Sequence, residues 1–126
     1  MADLTPPVPQ GRQIIEGYGP SHFRVNGEIR EGAILVLPTA THRWSVARFE
    51  DVTAESLQPI VAVAAEVDLL LLGTGKQLRP PPAGLRAALK VVGVALEPMD
   101  SGAACRTYNV LMAEGRRVAA ALLPAG

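Results

Sequence analysis

With 126 residues, 48% of them hydrophobic, the chain has the size of one domain and enough apolar side chain to build one core without disulfides. Twelve basic and twelve acidic residues cancel, so no net field would hold a polyanion or press the protein onto an anionic membrane, which argues against nucleic acid as a partner. The single cysteine, Cys105, excludes an internal disulfide and a thiolate zinc site, a usage that fits a reducing compartment.

In chain order, residues 1–12 carry three prolines and little apolar content, and read as a flexible arm ahead of a domain spanning 13–126. Met1 to Pro7 has neither the basic start and apolar run of a secretory signal nor the Arg-rich amphipathic character of a transit peptide, so a cytoplasmic protein is expected. From Gln13 to Arg30 the pattern is β-like and turns at Asn26-Gly27, a strong hairpin signal. A two-residue turn would set Phe23 opposite Arg30. A three-residue Val25-Asn26-Gly27 loop pairs Phe23 with Ile29 and Arg24 with Glu28, and the apolar pairing makes this the expected register. Ala33 to Leu37 is a continuous apolar strand ended by Pro38.

Thr39 to Arg48 reads as a polar loop around Trp44, with His42 and Arg43 as its most chemically versatile side chains. Thr53 is a plausible cap for a helix bearing Leu57, Ile60, Val61 and Ala64 on one stripe. Pro59 inside such a helix costs ~3 kcal/mol, so a kink or restart is expected there. The second half is more regular: a buried strand over Asp68 to Leu72, a Gly/Pro-rich loop, a helix from about Ala83 to Val92 closed by Gly93, and a strand over Val94 to Glu97. Asp100 then caps a helix running through Glu114 to Gly115, and a last strand covers Arg117 to Leu123. The expected architecture is a three-layer single α/β domain, with a mixed central sheet, a βαβαβ C-terminal half and an N-terminal β-hairpin. The longest apolar runs, near Leu69 to Leu72 and Val118 to Leu123, fall far short of the ~20 residues of a spanning helix.

Gly73-Thr74-Gly75-Lys76 follows a buried strand, where phosphate-binding loops sit. It lacks the four-residue spacer and the Ser or Thr after lysine that a Walker loop needs, and Leu78 and Pro80-Pro81-Pro82 break the dinucleotide fingerprint. Two glycines can simply allow a sharp turn off a strand. A backbone anion nest supported by Lys76 or Arg79 is the functional alternative. If the two strands of the βαβ unit are parallel neighbours, this loop shares a sheet edge with Asp100 and the start of the third helix. A free helix N-terminus there would suit an anion, whereas Asp100 as a cap would occupy its donors and repel one.

Cys105, Arg106 and Asn109 make the third helix look functional. Catalysis by Cys105 would need a base, and the two histidines, His22 and His42, lie in the other half of the sequence; a small buried hydrophobe is the simpler role. Tyr108 belongs on the packed face, with a hydroxyl needing a partner. Asn109 is poorly placed by helix propensity, which implies a specific hydrogen bond. No paired carboxylates or metal-ligand clusters emerge, so no catalytic residue, metal or cofactor is assigned.

The ordered blocks Asp68 to Gln77, Gly93 to Met99, Ala103 to Leu111 and Glu114-Gly115-Arg116 closely resemble the widespread family of small domains of unknown biochemical function that includes mitochondrial complex I assembly factor 3. The resemblance extends more loosely to Phe23 to Pro38. It implies a three-layer α/β fold with a mixed sheet and, in eukaryotes, a role in assembling NADH dehydrogenase through protein partners. It carries over no catalytic residue. The expected protein is thus a bacterial, non-enzymatic binding or assembly domain with a protein partner, possible homodimerisation through an exposed strand, and a link to respiratory or membrane-complex biogenesis. The competing expectation is an anionic-metabolite binding protein or enzyme. Its site would lie at the sheet edge of Gly73, Thr74, Gly75, Lys76 and Arg79, with Asp100, Cys105, Arg106 and Asn109 contributing.

Overall fold

The computed structural model describes residues 11–126. The predicted arm lies outside the described residues except for Gly11 and Arg12, and the Arg12 guanidinium donates to the Arg116 carbonyl at 3.3 Å. Among the described residues, eight strands form two sheets. A three-stranded antiparallel sheet runs in the order β1 (Ile15–Tyr18), β2 (His22–Val25), β3 (Glu28–Glu31). A five-stranded mixed sheet has the order β5-β4-β8-β6-β7, built from β4 (Ile34–Val36), β5 (Thr41–Arg43), β6 (Leu69–Gly73), β7 (Ala95–Met99) and β8 (Val118–Leu122). The helices are α1 (Gln58–Ala62), α2 (Leu85–Val91) and α3 (Ser101–Ala113).

The expected mixed central sheet and βαβαβ half are present, with β6 parallel to both β7 and β8. Alternation along the central strands sorts their side chains into two cores. Leu70, Leu72, Ala119 and Ala121 pack with Leu57, Ile60, Leu85 and Leu89 of the α1 and α2 layer. Leu71, Val118, Ala120 and Leu122 pack on the other face with Ala104, Tyr108 and Met112 of α3 and with Ile15, Phe23 and Val25 of the small sheet. The third layer is therefore part helix and part sheet. Three consecutive alanines, Ala119 to Ala121, are fully buried in β8. Their small side chains leave room for the large residues of both covering layers.

Three sequence expectations require correction. The hairpin turns through Asn26 and Gly27 alone, pairing Phe23 with Arg30, Arg24 with Ile29 and Val25 with Glu28. Both turn residues have positive φ, 47° and 83°, the geometry that matches strand twist in a two-residue turn. Asn26 is also held from outside the hairpin, its Oδ1 accepting from the Ile14 N–H at 2.7 Å. Ile29 consequently faces solvent and is 56% exposed. The Thr39 to Arg48 loop contains an edge strand, β5, pairing Ile34 with Arg43 and Val36 with Thr41. Finally, β7 continues through Pro98 to Met99. Proline is admissible because β7 is an edge strand and need not donate to a further neighbour.

The Pro59 restart occurs as the sequence suggests. A 3₁₀ turn over Glu55–Leu57 precedes α1, which places Pro59 in the first helical positions, where a missing N–H is harmless. Thr53 and Ser56 exchange side-chain and backbone hydrogen bonds at this entry. The Trp44 indole donates to the Ser56 carbonyl at 2.9 Å, anchoring the entry to the loop after β5.

Candidate functional site

In β6, Leu69 to Leu72 supply the apolar core, and the last strand residue, Gly73, sits where a side chain has no room. A Cβ at Gly73 would lie 2.8 Å from both Leu122 Cδ2 and Ser101 Oγ. The chain then bends into the Thr74 to Arg79 loop, while the neighbouring β7 passes directly into α3 at Asp100. The helices following β6 and β7 lie on opposite faces of the sheet, so the carboxyl ends of these strands flank a switch point, where open α/β sheets commonly bind ligands.

That crevice is closed by internal hydrogen bonds. Thr74 N–H donates to the Met99 carbonyl at 2.8 Å, and the Thr74 hydroxyl lies 2.6 Å from the Gln77 carbonyl and accepts from Arg79 N–H at 3.1 Å. Ser101 N–H donates to the Gly75 carbonyl at 2.8 Å, and Gly75 N–H donates to Ser101 Oγ at 2.9 Å. The same hydroxyl donates to the Leu123 carbonyl at 2.6 Å, and Ser101 is fully buried. At the start of α3 the Asp100 carboxylate accepts from Ala103 N–H at 2.9 Å. The first-turn donors of Ser101 and Ala103 are therefore occupied, and the helix end is set for capping.

The other chemically suggestive residues of α3 look elsewhere. Cys105 is buried, and burial raises its thiol pKa to about 12, which leaves it protonated at neutral pH and weakly nucleophilic. Arg106 reaches the Tyr18 hydroxyl at 2.6 Å across the outside of α3. Asn109 uses both ends of its amide on one residue: Oδ1 accepts from Ile15 N–H at 2.9 Å and Nδ2 donates to the Ile15 carbonyl at 2.6 Å. Tyr108 donates to the Gln13 carbonyl at 2.9 Å, and burial raises its hydroxyl pKa to about 12. Helix α3 thus uses its polar side chains to bind the incoming strand β1. The hydrogen bond anticipated for Asn109 has a structural partner.

A surface cleft of about 470 Å³ lies on another side of the Thr74 to Arg79 loop. Thr74, Gly75, Lys76, Gln77 and Arg79 form one wall, Ala47 to Glu50 another, and Leu123 and Pro124 contribute apolar surface. Arg79 is the best-fixed cation. Its guanidinium sits 5.2 Å from the centroid of the Phe49 ring and 2.9 Å from Glu50 Oε1. A hydrogen bond to backbone N–H and then the Arg79 guanidinium hold the Glu50 carboxyl below the usual carboxylate range. The structure brings Thr74, Gly75, Lys76 and Arg79 together at this cleft, whereas Asp100, Cys105, Arg106 and Asn109 do not line it. The Arg48 to Glu50 wall was not legible from the sequence, which places it 26 or more residues before Lys76 without a motif joining them.

Comparison with known proteins matches residues 15–123 to the family model described as "Protein of unknown function (DUF498/DUF598)". An uncharacterized protein of Rhodobacter capsulatus is 44% identical over 114 residues, covering 90% of this chain and 86% of that protein. The NADH dehydrogenase [ubiquinone] 1 alpha subcomplex assembly factor 3 of Danio rerio is 37% identical over 111 residues, covering 88% of this chain and 64% of that protein. The solution structure of a Mth938-like domain from Bordetella pertussis superposes with a TM-score of 0.84 at 34% identity, covering 100% of this chain and 94% of that one.

Proposed function

This chain belongs to the DUF498/DUF598 family, and we propose that it is a non-enzymatic binding domain acting in the assembly of a respiratory or other membrane complex, in a bacterial cytoplasm. The supporting observation is its similarity, over 88% of its length, to a protein named as an NADH dehydrogenase assembly factor. The chain spans only 64% of that relative, so the activity and partners of the longer protein enter here as part of the proposal. The use of α3 fits this reading: Asp100, Tyr108 and Asn109 are engaged in capping the helix and fastening β1. Among the described residues no helix is long and apolar enough to cross a membrane.

The test is affinity purification of the tagged full chain from its native cells, without denaturant. Recovery of an NADH dehydrogenase subunit or assembly intermediate at stoichiometric yield is the expected result. Purification that recovers the chain with no respiratory or membrane-biogenesis protein at that yield rejects the proposal.

A further inference from the structure

We propose that the cleft between the Thr74 to Arg79 loop and the Arg48 to Glu50 turn binds a small organic oxyanion, a carboxylate or phosphate compound, which enters by displacing Glu50 from Arg79. This inference stands independently of the assembly role.

The first support is the room the open cleft offers. A volume of about 470 Å³ falls in the range of small-molecule sites, roughly 300–1,000 Å³. Backbone and polar side chains line one wall, while Phe49, Leu123 and Pro124 supply apolar surface.

The second is charge. Among the lining side chains three cations, Arg48, Lys76 and Arg79, stand against one carboxylate, Glu50, and the backbone of Gly126, the last residue of the sequence, also borders the cleft. Arg48 has long contacts of 3.8 Å to Glu50 and 4.0 Å to Asp51. Lys76 is exposed and makes no ion pair among the described residues. Cations without close partners attract an oxyanion and add strong charge-assisted hydrogen bonds on contact.

The third is preorganisation. The Phe49 ring on the side chain and the bond from Arg79 N–H to the Thr74 hydroxyl set the guanidinium in place. The carboxylate of Glu50 accepts from this guanidinium at 2.9 Å, so a carboxylate or phosphate oxygen at the same position meets geometry already suited to it. Both partners are about half exposed, at 49% and 55% of their side-chain surface, and an exposed pair of this kind is readily exchanged. Glu50 therefore acts as an internal competitor.

This competition makes the proposal testable through variants that move affinity in opposite directions. The ¹⁵N-labelled full chain is titrated separately with citrate, succinate and inorganic phosphate at constant ionic strength, and amide shifts are followed by NMR. The expected result is saturable shifts centred on Gly75 to Gln77 and Phe49-Glu50 with at least one probe. Preference for the carboxylates or for phosphate identifies the head group. Lys76→Ala and Arg79→Ala should each weaken binding about tenfold, and Glu50→Gln should tighten it severalfold. Glu50 lies on the surface, so its variant remains informative if Arg79→Ala fails to fold. Linear shifts with all three probes in both the wild type and Glu50→Gln overturn the proposal, as does weaker binding in Glu50→Gln.

Discussion

Asn109→Ala should destabilise the protein by about 2 kcal/mol. The wild-type amide satisfies both backbone groups of Ile15, at 2.9 and 2.6 Å, where β1 lies against α3. Alanine cannot replace either bond, and Ile15 is only 4% exposed, so water has restricted access to the groups left behind. Loss of two bonds at ~1 kcal/mol each, with a partial desolvation penalty for the orphaned groups, gives ~2–3 kcal/mol. The better helix propensity of alanine returns ~0.5 kcal/mol. For a chain of this size the expected fall in Tm is roughly 6–12 °C. Urea unfolding should show a lower midpoint at unchanged slope, and amide exchange should accelerate first in β1. Asn109→Asp is the informative companion, because it retains the acceptor for Ile15 N–H but sets a carboxylate against the Ile15 carbonyl. A loss below about 0.5 kcal/mol in Asn109→Ala, with β1 exchange unchanged, would refute the view that this side chain fastens the small sheet to the domain.

The switch point supplies a second test: Ser101→Ala leaves Gly75 N–H and the Leu123 carbonyl without their shared hydroxyl and should cost about 2 kcal/mol by chemical denaturation. Gly73→Ala should cost about 1–3 kcal/mol in the same assay, since its Cβ would approach Ser101 Cα, a backbone atom, to 3.1 Å. Alkali provides a third. Burial raises Cys105 from 9.0 to about 12 and Tyr108 from 10.0 to about 12, so the unfolded chain loses these protons first. Their stabilising effect is complete below about pH 9, declines as pH rises and is lost by about pH 12, with a slope of up to ~1.4 kcal/mol per pH unit per group. Equilibrium unfolding between pH 8 and 11 should show the decline, and Cys105→Ala should reduce its onset near pH 9. In the native protein Cys105 should resist iodoacetamide at pH 8, reacting at a rate limited by opening of the α3 layer. Rapid stoichiometric alkylation without unfolding would contradict its burial.

The elements visible in the sequence were those governed by local chemistry. Asp100 caps α3, Pro59 sits at a helix start, and the apolar run of β6 is buried; each follows from residues within a few positions of one another. The missed features depend on distant partners. Apolar pairing favoured a register with Ile29 opposite Phe23, yet Phe23 finds its contacts in the α3 core and leaves Ile29 outside. The short strand β5 has two exposed residues of three and is defined by its hydrogen bonds to β4, which polarity alone does not reveal. The cleft was half legible. Its Gly-Thr-Gly-Lys wall stands out in the sequence, whereas Arg48, Phe49 and Glu50 acquire significance only where the fold brings them against Arg79.

The placement of the cleft follows from how the domain closes its switch point. In an open α/β sheet the carboxyl ends of β6 and β7 would offer a ligand the backbone donors of a loop and a helix start. Here a buried serine links Gly75 in the loop to Leu123 just beyond β8, and Asp100 takes a donor of the first helical turn. Those bonds stabilise the junction by using up the polar groups that would recognise a ligand. The loop is consequently rigid on its inner side but carries Lys76 and Arg79 outward, where Arg48 and Phe49 complete a charged surface. Weakening the junction with Ser101→Ala should therefore loosen oxyanion binding at the outer cleft as well as the fold. Stabilising osmolyte should restore the folded population without fully restoring affinity, because the loop would still lack its anchor. Equal affinity of folded Ser101→Ala and wild type would show that the cleft does not depend on the inner bonds for its geometry.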